Sequence, residues 1–139
     1  IAACAEGAAR AAESELDVTP LTTVYNSRFN AVLYGVVRQN ASAQGIELET
    51  VAFKAWSTAY GNVTQAVPSF YFLIKTHKEG INWHSTTIAE QSVSEYALEG
   101  MVQGSKILAM SAIDLLATPE LVTEADREFR EGNDDAEHG

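Results

Sequence analysis

The stretch from Ser57 to Ser85 constrains the fold most, because it combines a Gly-Asn pair, a long apolar run and a lone histidine. Within it, residues 67–75 have the near-continuous apolar sequence VPSFYFLIK. Such a run is typical of a β-strand that is covered on both faces. Pro68 places its start at a strand entry or a sheet edge. We therefore predict a buried strand here, followed by a polar loop that presents His84.

Helical periodicity dominates much of the remaining chain. Helices are predicted over about 2–12, over 27–44 with Asn26 as N-cap and Gly45 as C′ residue, from the capping box at 92–95 onward, and from Pro119 to about Gly132. Alternating polar and apolar residues predict further short strands at 15–19 and 46–50. The expected fold class is α/β, with a small sheet flanked by long helices.

Composition limits the possible partners. The 139-residue chain carries a net charge of −10, which disfavours binding to nucleic acid and to anionic membrane surfaces. No apolar run approaches the roughly 20 residues that a membrane helix needs. Cys4 is the only cysteine, so no internal disulfide forms, and a reducing, cytoplasmic location is expected.

His84 is the leading candidate for chemistry. It follows a polar loop that leaves the predicted strand, and loops at strand ends often carry functional groups on a rigid scaffold. A neutral imidazole is a common zinc ligand, whereas the alternative is that His84 packs against Trp83 and caps the loop. A metal needs three or four protein ligands, and the sequence offers one plausible ligand, so this chain alone is not expected to form a catalytic centre.

The Gly61-Asn62 pair is the second candidate. It allows a tight turn with positive φ, whose backbone N–H groups could hold a carboxylate or an oxyanion. The alternative is an ordinary turn before a strand. Tyr71, in the middle of the predicted strand, is expected to be a core aromatic residue rather than a pocket residue.

Several short motifs follow one another with regular spacing across the second half of the chain. They are Ser57-Thr58, Gly61-Asn62-Val63-Thr64, Val67-Pro68, His84, Lys106–Ala112 (KILAMSA) and Pro119-Glu120-Leu121. With these motifs, residues 57–131 resemble the C-terminal segment of the zinc amidohydrolases of metallopeptidase family twenty. That family includes aminoacylases, carboxypeptidase G, aminobenzoyl-glutamate hydrolases and the Xaa-Arg dipeptidases, and the last group is the most similar.

This resemblance implies a domain organisation and a site. Residues 1–20 would be the end of an inserted dimerisation (lid) domain, 21–132 the C-terminal part of a catalytic domain, and 133–139 a disordered acidic tail. His84 would be a ligand of a two-metal zinc centre, and Thr58, Gly61 and Asn62 would line the pocket for a small peptide or an N-acyl amino acid. The parent enzyme would be a homodimer. Its other metal ligands and its general base would lie upstream, and the non-methionine Ile1 likewise suggests a piece of a longer protein.

The sequence departs from the family pattern at three positions. Ala59 replaces the signature aspartate, Tyr71 replaces a histidine of the Val-Pro strand, and Trp83 replaces the asparagine before the ligand. The first interpretation is therefore the C-terminal portion of a metal-dependent dipeptidase or amidohydrolase, inactive as this chain alone. The alternative is a non-catalytic pseudoenzyme remnant or a dimerising interaction module.

Overall fold

The structure, a computed structural model, describes residues 1–49 and 58–137, with only the backbone for 133–137. Over these residues it contains six α-helices and no β-strand. The helices are α1 (Ala2–Ala11), α2 (Ala31–Ala43), α3 (Tyr60–Ala66), α4 (Thr86–Gln91), α5 (Glu95–Ala117) and α6 (Pro119–Glu137). The predicted α/β class with a small sheet is therefore wrong for the described part of the chain, which is all-helical. Thr50, Ser57 and the last two residues of the predicted tail lie outside that part.

The two central strand predictions fail for a specific physical reason. Residues 46–49 and 69–76 lie outside any helix, and their apolar side chains alternate between core and solvent as in a strand. No backbone hydrogen bond joins either segment to a neighbouring strand within the described residues. A strand requires that ladder of bonds, whereas periodicity reports only which side chains are buried. The third prediction, at 15–19, falls on exposed chain without regular structure.

The core lies where α2 packs against α5. Val37, Ala41 and Ile107 are buried, and Ala41 and Ile107 have no exposed surface. Five partly buried side chains from the extended segments cover this cluster: Ile46, Leu48, Phe70, Phe72 and Ile74. The helices therefore form a layer that the extended segments 46–49 and 69–76 cover. Every second side chain of these segments faces the helices, which explains why apolar residues alternate in their sequences.

Small residues on α5 let the extended chain cross it closely. Gly100 and Gly104 are both buried. A Cβ atom at Gly100 would lie 2.6 Å from the carbonyl oxygen of Lys75, closer than real contacts allow. The crossing of residues 74–76 over α5 therefore depends on glycine at position 100.

Helix α6 holds the N-terminal end of α2. The Glu128 carboxylate accepts hydrogen bonds from the backbone N–H groups of Ala31 at 2.7 Å and Val32 at 3.1 Å. Buried Asn30 accepts from Leu33 N–H through its side-chain oxygen and donates to the Ala125 carbonyl oxygen at 3.0 Å. These bonds satisfy N–H groups that have no partner inside a helix, and a negative charge here also complements the helix dipole.

Helix positions were predicted better than their ends. The helices predicted at 2–12 and after 92–95 and the Pro119 start are confirmed, as is Gly45, which follows α2 with φ 72°. The N-cap of α2 is Asn30 rather than Asn26, and the N-cap of α5 is Ser94, which accepts from Ala97 N–H. Helix α4, which Ser85 caps, was not predicted. Helix α6 was predicted to end near Gly132 but continues to Glu137.

Replacing Asn30 by alanine should reduce the free energy of unfolding by about 1–3 kcal/mol, because it removes the N-cap and leaves the Ala125 carbonyl oxygen without its donor. Urea unfolding followed by circular dichroism measures the change. The control is Asn82→Ala, at an exposed position, which should change stability by no more than about 0.5 kcal/mol. Equal effects of the two variants would contradict the structural role of Asn30.

Candidate functional site

A cavity of about 1280 Å³ lies along the extended segment 69–75. We call it the aromatic groove, because its walls include Phe29, Tyr34, Tyr60, Tyr71, Trp83 and Tyr96. Its other walls come from residues 46–49, from the loop at 77–81 and from one face of α5. Ligand sites in proteins are commonly concave and lined by apolar and aromatic side chains. The groove is therefore the candidate functional site.

Aromatic contacts fix the walls of the groove. The rings of Tyr60 and Tyr71 meet edge to face with centroids 4.7 Å apart, and Phe70 contacts Tyr34 at 5.4 Å. Such pairs contribute about 0.5–1.5 kcal/mol each beyond the area they bury. Tyr71, predicted to be a core residue, is 39% exposed. It lines the groove instead, because the alternation along 69–75 points it away from the helical core.

The predicted pocket residues lie at the start of α3. Thr58 lines the groove, and its hydroxyl oxygen accepts a hydrogen bond from Tyr60 N–H at 3.2 Å. Gly61 and Asn62, predicted to form a tight turn with positive φ, lie inside α3 instead, and neither has a positive φ. The prediction of a tight turn is therefore wrong. Glycine is required at position 61 because another segment of the backbone lies very close to it, and not because of its own backbone angles.

The close approach is between α3 and the segment before α2. A Cβ atom on Gly61 would collide with the carbonyl oxygen of Tyr25. Asn62 holds the same segment through its side-chain amide, which accepts from Tyr25 N–H and donates to the Thr23 carbonyl oxygen, both at 2.8 Å. The Thr64 hydroxyl accepts from Arg28 N–H at 2.9 Å. One face of α3 therefore positions residues 23–28, part of which lines the groove.

His84 stands at the edge of this arrangement. Its side chain is exposed, and its backbone has φ 58°, in the left-handed region. Trp83, immediately before it, lines the groove, and Ser85, immediately after it, caps α4 by accepting from Ile88 N–H at 3.3 Å. The His77 ring packs edge to face against the Trp83 ring, with the two centroids 6.2 Å apart.

Within residues 1–49 and 58–137, no three or more His, Cys, Asp and Glu side chains converge in a way that could hold a metal ion. Of the positions where the sequence departs from the family pattern, Tyr71 and Trp83 line the groove, and Ala59 is the N-terminal flanking residue of α3. The groove thus brings Thr58 and the neighbour of His84 to one cavity. The roles of Thr58, Gly61, Asn62 and His84 in binding stay predictions.

A perturbed charge lies away from this cavity. On the exposed surface of α6, the Asp126 carboxylate accepts a 2.7 Å hydrogen bond from Arg130 Nε and raises the pKa of that guanidinium. Neither residue lines the groove. An exposed i,i+4 pair of this kind supports its own helix slightly and has no evident connection to the site.

Comparison with known proteins finds no family model, no curated protein and no solved structure that matches this chain. None of the helices in the described residues has the length and apolar character needed to cross a membrane. The site must therefore be interpreted from its own residues. The groove-lining role of Tyr60, Trp83 and Tyr96 was not predicted from the sequence, although the clustering of aromatic residues between 60 and 83 was a visible signal.

Two glycine substitutions should have opposite effects on stability. Gly61→Ala should reduce the free energy of unfolding by about 1–3 kcal/mol, because the new methyl group overlaps the Tyr25 carbonyl oxygen. Gly35→Ala, in the middle of α2 with open space around it, should increase it by about 0.5–1 kcal/mol. Chemical denaturation of the two variants measures both effects. Stabilisation by Gly61→Ala would show that α3 does not contact residues 23–28 as described.

Proposed function

We propose that this chain is the C-terminal portion of a metal-dependent hydrolase of peptide or amide bonds, in which His84 is one ligand of a zinc centre. The observation that supports this most is an exposed histidine held in a left-handed backbone conformation beside the aromatic groove. Residues kept in such conformations cluster at functional sites, where the surrounding structure maintains them. The proposal also draws on the resemblance of residues 57–131 to metallopeptidase family twenty.

The backbone of His84 carries an energetic cost. A left-handed conformation costs an L-residue roughly 1–2 kcal/mol, and glycine would adopt it without that cost. The positions on either side are fixed, because Trp83 lines the groove and Ser85 caps α4. An imidazole at this position is therefore presented at a defined place, as a ligand must be. A neutral ring nitrogen suits zinc.

The remaining parts of the centre lie outside the described residues. Zinc takes three or four protein ligands, and the described residues supply no cluster of them. Bound zinc would lower the pKa of a water molecule and polarise the amide carbonyl group. This chain's own contribution is to hold one ligand and one wall of the substrate cavity. We therefore expect no turnover from the chain alone.

The aromatic groove is the proposed place for the substrate, a small peptide or an N-acyl amino acid. Its volume of about 1280 Å³ exceeds what such a molecule occupies, so additional polypeptide would narrow it. Thr58 faces it directly, whereas Asn62 uses its amide on residues 23–25. Gly61 and Asn62 would then act on the substrate by placing that segment of the wall.

Two further aspects of the proposal concern location and assembly. A cytoplasmic location fits a chain with a single, free and exposed cysteine. Homodimerisation of the parent enzyme through residues 1–20 fits the exposure of α1, which has no buried residue. Helix α1 does not pack extensively against any other helix in the part of the chain that the structure describes.

A second candidate function is a non-catalytic interaction module. The chain exposes 10889 Å² of surface, whereas a compact monomer of 15.0 kDa exposes about 7,000 Å². Large apolar side chains contribute to this surface, among them Leu73, Leu116 and Val93. Exposed apolar side chains of this kind serve as contacts for another polypeptide where they form a contiguous patch. The two candidates differ in whether His84 has a role.

The strain at His84 can be tested by stability. His84→Gly should be more stable than His84→Ala by about 1 kcal/mol, because glycine relieves the left-handed conformation and alanine does not. Unfolding midpoints in urea measure the difference. The matched pair at His77, replaced by the same two residues, should show no advantage for glycine, since its backbone does not have a positive φ. A less stable glycine variant at position 84 would contradict the assigned backbone conformation.

Zinc titration tests the ligand role. We expect weak binding by this chain, with ring resonances of His84 shifted or broadened in NMR spectra before those of His77, because one exposed imidazole can coordinate but cannot enclose the ion. His84→Ala should remove that response, and His77→Ala should keep it. In a longer chain that supplies the other ligands, His84→Ala should abolish amide hydrolysis. Full activity of that variant would remove His84 from the centre, whereas a longer chain that hydrolyses no amide even with His84 present would favour the interaction module.

A further inference from the structure

We propose that the aromatic groove selects substrates that carry an aromatic ring, as in a small peptide or an N-acyl amino acid with a phenylalanine side chain. This inference rests on the proposed function, because it names the class of substrate for the same cavity. The preference for a ring can nevertheless be measured without zinc and without turnover. Its support comes from the location of the tyrosines, from two exposed rings that are held in place and from the charges along the walls.

The tyrosines of this chain are concentrated at one cavity. All five of them line the groove, although each lies on a different segment of the chain. A tyrosine combines a large, stiff apolar ring with a polar tip, so it contacts a ligand at a small cost in side-chain entropy. A core would bury such rings, whereas Tyr25, Tyr71 and Tyr96 remain 58%, 39% and 46% exposed. The convergence of these side chains is therefore typical of a binding surface.

Two exposed rings of the groove are each held by a second ring. Tyr71 meets Tyr60 edge to face, with the centroids 4.7 Å apart. Trp83 is 51% exposed, and the ring of His77 packs against it in the same geometry. A side chain that is already fixed loses little freedom when a ligand binds. Since aromatic rings favour edge-to-face and offset-stacked partners, a ring of the substrate would extend either pair.

The same two positions separate this chain from the family that it resembles. Tyr71 replaces a histidine of the family pattern, and Trp83 replaces an asparagine. Each replacement increases the apolar ring surface on the wall of the groove. Trp83 directly precedes His84, so a ring bound against it would lie close to the proposed zinc ligand. Both departures therefore favour a substrate with an aromatic group.

The charges along the walls do not favour a charged side chain of the substrate. Four glutamates line the groove, but they are divided among residues 46–49, the loop at 77–81 and α5. Lys75 and Lys78 lie among them, and no three acidic groups of the described residues converge closely enough to hold a metal ion. Arg28 already donates a 2.6 Å hydrogen bond to a backbone carbonyl oxygen of α6. A neutral aromatic side chain needs no concentrated charge of either sign.

The affinities of three probes in zinc-free buffer test this preference. The probes are N-acetyl-phenylalanine, N-acetyl-leucine and N-acetyl-arginine, and ligand-detected NMR gives a dissociation constant for each. N-acetyl-phenylalanine should bind about three- to tenfold more tightly than either of the others, because it alone gains ring contacts. The indole resonance of Trp83, assigned by its loss in Trp83→Phe, should shift as that probe binds.

Variants of the chain locate the contact. Tyr71→Ala and Trp83→Ala should each raise the dissociation constant of N-acetyl-phenylalanine about threefold or more. Tyr71→Phe keeps the ring and should leave this constant nearly unchanged. Leu116→Ala is the control, since Leu116 is 83% exposed on α5 and does not line the groove. Circular dichroism should show that all four variants keep their helices, and His84→Ala should bind the probe like the wild-type chain.

Three outcomes would overturn the proposal. One is N-acetyl-leucine or N-acetyl-arginine binding as tightly as N-acetyl-phenylalanine, and another is no binding of any probe up to its solubility limit. The third is folded Tyr71→Ala and Trp83→Ala variants that both bind like Leu116→Ala. Each can occur while His84 still responds to zinc, which would leave the hydrolase proposal standing. A ring preference in a chain whose longer form hydrolyses no amide would instead contradict the hydrolase and leave the groove as a site for aromatic ligands.

Discussion

The N-terminal end of α2 is the point on which the rest of the arrangement depends. Glu128 and Asn30 join α6 to α2 by satisfying N–H groups that α2 cannot satisfy itself. With α2 held there, its other end packs Ala41 against Ile107 of α5. The extended segments then cover that pair of helices. Hydrogen bonds between α6 and the start of α2 thus determine where the small apolar core forms. The core in turn positions the extended residues 70–74, which form one wall of the groove.

The sequence was sufficient to locate the long helices but not the relation between extended segments. Pro119 and the periodic run on α5 act locally, so their effect is visible in the residues themselves. The alternation at 69–75 correctly indicates that Phe70, Phe72 and Ile74 share a buried face. Whether a neighbouring backbone is close enough for a ladder depends on distant residues, and no local pattern carries that information. The α/β prediction failed at that step.

The candidate site shows the same division. An exposed, loop-borne His84 could be anticipated from its place after an apolar run, whereas its left-handed backbone could not. Gly61 and Asn62 were identified as unusual, yet for the wrong reason. Their partners are Tyr25 and Thr23, more than thirty residues away along the chain. A Gly-Asn pair can serve a tight turn or a close contact, and only the position of the other segment decides between them.

The crossing at Gly100 couples the groove to the helical layer. The Lys75 carbonyl oxygen rests where any larger residue of α5 would place a side chain. Turning α5 by one residue, about 100° about its axis, would bring a side chain from Glu99 or Met101 into that space. The helix and the crossing chain therefore constrain each other at this point. Ile74 of the same segment lines the cavity and also packs against the core cluster that contains Ile107, so a single side chain belongs both to the cavity wall and to the contact between α2 and α5.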